Sequence, residues 1–161
     1  MRENSRLESL RANLALLYEK LSVFEQEMII TYNVSAKFEI KHRIRNELLP
    51  SIRRYEREYW ELLPIENIVI SDDEATEAVV ILENAVAATE SEYISRKDLP
   101  SEIMPLLQEI KADLSSIDKT ASAKLKLTLP LIPMIASYEL EADTENLMYD
   151  AWKFIKRMVG R

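Results

Sequence analysis

The sequence predicts a mainly α-helical protein, a long antiparallel helical hairpin followed by a helical bundle. Three observations predict it. The chain holds a single glycine, Gly160, and scarce glycine beside abundant Leu, Ala, Glu and Lys favours long helices. Leu7, Leu10, Leu14, Leu17, Leu21, Phe24 and Met28 recur at alternating steps of three and four, which is an a/d seam. Short breaks at Asn33-Val34-Ser35 and at Pro64 then separate two such periodic runs, and a short break makes neighbouring helices antiparallel.

The elements follow in order. Ser5 with Glu8 has capping-box spacing and predicts a first helix from there to about Tyr32. Leu16, Val23 and Ile30 form a second apolar line seven residues apart, widened by Ile29, so the later half of this helix is expected to meet two neighbours. Ser35 is read as the cap of a second helix over 36–63. Its apolar positions are Phe38, Ile40, Ile44, Leu48, Ile52, Tyr55, Tyr59 and Leu62, and Pro50 inside it predicts a kink or brief break. The hairpin is taken as residues 1–64.

Residues 65–161 are read as a C-terminal helical lobe, making one compact unit with the hairpin. Ser71 and Glu74 form a second capping box, and the carboxylates of residues 72–74 suit the positive end of a helix. The helix that follows is expected to bury Ala75, Ala78, Val79, Leu82, Ala85, Val86 and Tyr93. Asp98 and Pro100 open a fourth helix to about Ser115, with Pro105 able to shift its start.

Residues 124–142 read two ways. Leu125, Leu127 and Leu129 alternate with polar residues, as do Tyr138, Leu140 and Ala142, which favours two short strands around Pro130 and Pro133. Leu125, Leu129, Ile132 and Ala136 equally fit one helical face. The sequence leans to the short β element. Asp143 or Thr144 then caps a last helix to Val159 that buries Leu147, Met148, Ala151, Trp152, Ile155 and Met158.

Composition excludes several chemistries. No cysteine is present, so disulfides and thiolate sites are ruled out. A P-loop, a dinucleotide fingerprint or a nucleophile elbow each needs glycines at a sharp turn, and none can be built. His42 is the only histidine; Glu39 and His42 match one half of a paired Glu-x-x-His metal motif, and the other half is missing. No metal, cofactor or catalytic residue is assigned, and the protein is read as not an enzyme. The net charge of −7 speaks against a nucleic-acid binder. No signal peptide and no spanning run are seen, so a cytoplasmic protein is expected.

Charge is uneven: residues 37–63 carry a net +2 and residues 64–161 a net −8. Lys41, Arg43 and Arg45 form a basic cluster interleaved with glutamates, either a solvated face or a contact for an acidic partner. Trp60 lies off the main stripe and is the aromatic read as facing a partner. Leu16, Val23, Ile30, Lys41, Arg43, Arg45 and Trp60 are therefore the candidate partner-binding residues.

Residues 124–145, Lys-Leu-Lys-Leu-Thr-Leu-Pro-Leu-Ile-Pro-Met-Ile-Ala-Ser-Tyr-Glu-Leu-Glu-Ala-Asp-Thr-Glu, resemble a segment that recurs in cyanobacterial multidomain proteins of predicted conflict or programmed-death systems. Those proteins join helical effector-associated modules to STAND or NACHT ATPases, to caspase-like or CHAT proteases, or to TIR domains. The hairpin ending Tyr-Glu-Arg-Glu-Tyr-Trp-Glu-Leu-Leu is similar to helical adaptors of the same setting. The resemblance transfers no catalytic residue, and none of the effector segments is present, so it implies an adaptor alone. The expected function is a non-enzymatic protein–protein interaction module that binds itself, as a homo-oligomer, or an effector protein. The rival is a membrane-active effector that releases the apolar 125–135 segment into lipid, disfavoured because Glu139, Glu141, Asp143 and Glu145 follow it.

Overall fold

The computed structural model describes residues 2–96, 98–142 and 145–160, with side chains from Asn4 onward. Among the described residues every regular element is helical. The chain divides into two compact units, residues 1–63 and 64–161.

In the first unit, α1 (Arg2–Ile30) pairs with a return helix built of α2 (Val34–Arg43), a stretch of π-helix (Ile44–Leu48) and α3 (Leu49–Leu62). The helix starts before Ser5, so Ser5 lies inside the first turns and caps nothing. Leu10, Leu14, Leu21 and Phe24 of the seam are buried, and Leu7, Leu17 and Met28 are half-buried. Facing them are Ile44, Leu48, Leu49 and Ile52. The antiparallel sense is fixed at the open end by Arg6, whose Nε and Nη2 each donate to the Glu58 carboxylate at 2.7 Å.

Asn33, rather than Ser35, caps α2. Its side chain accepts from the Ala36 N–H at 3.1 Å, and its backbone is extended. Asparagine reaches the orphan N–H groups of the first turn from there, so the helix starts two residues early and Ser35 falls within it.

Pro50 bends the return helix in an unexpected way. It has no N–H to give the preceding turn, and its ring crowds the carbonyl four residues back. The chain answers with wider turns just upstream, where the Leu49 N–H donates to the Ile44 carbonyl five residues back. Asn46 Nδ2 also donates to the His42 carbonyl at 2.9 Å, across one turn at this junction. A π stretch adds about one residue to the ladder, so everything before it turns by roughly 100° relative to everything after.

The second unit opens with a single 3₁₀ turn (Ile65–Asn67), and α4 (Asp72–Ser95) then forms its centre. Ser71 caps α4 as its spacing predicts: its Oγ accepts from the Glu74 N–H at 3.2 Å and donates to Glu74 Oε1 at 3.0 Å. Ala75 and Ala78 have no exposed surface, and such small side chains let neighbouring helices approach closely. Around α4 pack α5 (Ile103–Leu114), α6 (Ala121–Thr128) and α8 (Leu147–Met158), with α7 (Ile132–Glu141) against α5 and α8. Pro105 sits in the first turn of α5, where a missing N–H costs nothing.

The expected β element is absent: residues 121–128 and 132–141 are α6 and α7. Leu125 and Leu129 are wholly buried while Leu127 between them is 40% exposed, which is a period near four and not two. Thr120 caps α6 by accepting from the Ala123 N–H at 3.2 Å. Pro133 falls in the first turn of α7, so the prolines separate two helices instead of shaping a hairpin. The predicted caps Asp143 and Thr144 lie outside the described residues. Asn146 precedes α8 in the left-handed region, φ 57°, which asparagine tolerates better than most.

Candidate interaction surface

The apolar residues of α1 fall into two sets. The seam faces inward. Leu16, Val23 and Ile30 lie about 150° round the helix from it, at 3.6 residues per turn. They are 63%, 47% and 71% exposed. This second line runs down the outer face of α1.

The turn between α1 and α2 extends the uncovered area. Ile29 is 79% exposed, Tyr32 93%, Val34 81% and Phe38 71%. No residue of α2 is buried. Phe38, expected in the core, therefore stands in solvent, stacked on His42 with ring centroids 6.4 Å apart. The π stretch accounts for this: it turns α2 out of line with the buried face of α3, which holds Leu49, Ile52, Glu56, Tyr59 and Trp60.

Of the basic residues, Lys41 is half-buried, and Arg43 and Arg45 are exposed. The Arg43 guanidinium sits 5.1 Å from the centroid of the Phe24 ring and 3.7 Å from the Glu47 carboxylate. Lys20 approaches the same ring at 5.8 Å. These cations close the edge of the seam, each held by the ring quadrupole.

Trp60 belongs to the interior. It is 6% exposed, its Nε1 donates to Glu56 Oε2 at 3.3 Å, and its ring meets Tyr59 edge-on at 5.1 Å. The reading of Trp60 as a partner contact is corrected: lying off one stripe of a helix did not leave it in solvent.

In the second unit, one buried acid escaped the sequence reading. Glu139 of α7 is 2% exposed. It accepts from the backbone N–H groups of Met148 and Tyr149 at 3.1 and 3.0 Å, and from Thr89 Oγ1 at 3.4 Å. Burial pushes its carboxyl up to about 7, and the nearby Glu92 adds to that, while the three donors work the other way. Desolvation outweighs hydrogen bonding here because the whole group is removed from water. The first turn of α8 is thus capped by a side chain from the neighbouring helix.

The remaining features offer little chemistry. An open groove of about 390 Å³ between α4 and α5 is lined by Glu83, Val86, Glu90, Lys111 and Leu114. Lys111 Nζ donates to Glu90 at 2.8 Å, so its principal charge is met within the groove. Among the described residues no three His, Asp or Glu side chains converge as a metal site would need. His42 is exposed, with Asn46 Nδ2 2.9 Å from its Nδ1.

The structure leaves Leu16, Val23 and Ile30 in solvent as one line along α1, and it places Arg43 against Phe24 of the seam and not on that line. The residues the sequence reading passed over are Tyr32, Val34 and Phe38. One signal marks them: from Met28 to Phe38 the chain contains no carboxylate, and Lys37 is the one charged residue. Comparison with family models, with curated proteins and with solved structures gives no match to the chain.

Proposed function

We propose that the protein is a non-enzymatic helical interaction module that works in the cytoplasm and binds a protein, in the first place a second copy of itself, through the outer face of α1. One observation carries this. Leu16, Val23 and Ile30 line up on a helix whose core seam lies on another side, and all three remain in solvent. An apolar line sustained at sevenfold spacing is what a helix uses to meet another helix. A second copy is the simplest occupant, since a two-fold pairing presents each stripe to its equivalent. The resemblance to effector-associated modules supports the adaptor role within a conflict system.

The rival reading has less support. Leu125, Leu129, Ile132 and Ile135 have no exposed surface, so lipid would have to draw out the centres of two packed helices. No helix among the described residues is long and apolar enough to cross a membrane.

A photo-crosslinking benzoylphenylalanine in place of Val23 tests the proposal. Irradiation of the purified protein and of intact cells should yield a discrete adduct, at about twice 18.7 kDa for self-association or at the mass of a partner. Ile117, which is 99% exposed in the second unit, is the control position. Labelling at Val23 no stronger than at Ile117 would end the reading.

A further inference from the structure

We infer that the closed end of the hairpin, Ile29 to Phe38, seats in the headgroup layer of an anionic lipid bilayer. This goes beyond the role given to α1 and rests on other residues, Ile30 apart. Ile29, Ile30, Tyr32, Val34 and Phe38 are each at least 71% exposed. They crowd the end of a two-helix hairpin, and the helix that carries two of them buries nothing. A lipid interface conforms to whatever enters it.

Charge points the same way. No acid falls between Met28 and Phe38. Behind the apolar end, α2 and the π stretch carry Lys37, Lys41, Arg43 and Arg45 against Glu39 and Glu47, while Glu25 and Glu27 stand on α1. The α2 side of the end therefore carries a net positive charge, which favours anionic over neutral headgroups. Long basic side chains can keep their charge among headgroups while their stems lie along the apolar layer. Tyrosine and phenylalanine suit that depth, the one with its hydroxyl in water, the other buried. Val34 to Phe38 covers about 6 Å along the helix axis, and an interfacial helix sinks its apolar face about 5–10 Å. No spanning segment is required.

Flotation of the full chain with vesicles of phosphatidylcholine and phosphatidylglycerol tests this, beside vesicles of phosphatidylcholine alone. The protein should float with the anionic vesicles and less with the neutral ones. Tyr32→Glu and Phe38→Glu should each abolish flotation at unchanged helical circular dichroism, since neither side chain is buried. Lys37→Ala should weaken it by about fivefold in the anionic vesicles, the worth of one basic residue near such a surface. Ile117→Glu should change nothing. No flotation with anionic vesicles, or flotation that survives both tip variants, overturns the inference. So does a dimer in lipid-free buffer that either tip variant turns into a monomer, which assigns the end to a second copy. Crosslinking through Val23 in the purified protein is read without lipid on a chain whose tip is unaltered, so the two readings fail separately.

Discussion

Glu139 holds Tyr149. The carboxylate of α7 accepts the Tyr149 N–H at 3.0 Å, so α8 begins on a side chain of its neighbour and not on a cap of its own. A buried acid raised to about 7 binds a proton in the folded chain more tightly than in the unfolded one, where its value is near 4.5. The stability it contributes is full below about 4.5 and is lost as pH rises through about 7. The total is on the order of 3 kcal/mol at most, at about 1.4 kcal/mol for each tenfold change in proton affinity. Denaturant unfolding followed by circular dichroism at pH 5, 6, 7 and 8 should show stability falling with pH across this window. Glu139→Gln should flatten that fall. Parallel curves for the two proteins would mean that this carboxyl does not titrate there.

Leu14 and Leu16 sit two residues apart and should behave oppositely. Leu14 is 1% exposed and Leu16 is 63% exposed. Leu14→Ala leaves a cavity in the seam and should cost about 2–4 kcal/mol. Leu16→Ala should stay within about 0.5 kcal/mol. Equal costs by urea titration would mean that the seam is wrongly placed.

The same contrast decides α6. Leu129→Glu places an unpaired charge in a fully buried site and should abolish cooperative unfolding of the second unit. Leu127→Glu adds a charge to a surface already 40% exposed and should be tolerated. In a strand the two would share a face, and both changes would be tolerated or neither.

Ser71→Ala removes the side-chain acceptor of the Glu74 N–H and should lower stability by about 1 kcal/mol. Ser71→Asp keeps an acceptor at that position and should restore most of the loss. Thermal midpoints of the three proteins make the comparison; no loss in the alanine variant would show that the cap is not holding the helix.

What the sequence discloses depends on how local the cause is. The α1 seam was legible because seven residues repeat one period without a gap. The Ser71 cap was legible because donor and acceptor are three residues apart. The α6–α7 region misled because Leu125 and Leu129 satisfy a period of two and a period of four alike; the exposure of Leu127 separates the two, and that is a tertiary fact. Glu139 was invisible for the same reason, since its donors come from α8 and α4. The outer stripe of α1 could be read as a line of leucine, valine and isoleucine, whereas its remaining in solvent could not. Phe38 was misplaced because a wheel drawn at 3.6 residues per turn assumes that no residue is inserted, and the π stretch breaks that assumption.

That stretch makes residue count an adjustable setting of the hairpin. Removing one residue between Ile44 and Leu48 would let the return helix run at a single pitch, and Phe38 would swing back toward the line of Leu49 and Ile52. Composition, charge and the seam would hardly change, yet the uncovered end would be drawn toward the interior. Chains of this design can therefore differ in whether they expose a contact through a one-residue insertion or deletion, with no change in the chemistry of the side chains that make it.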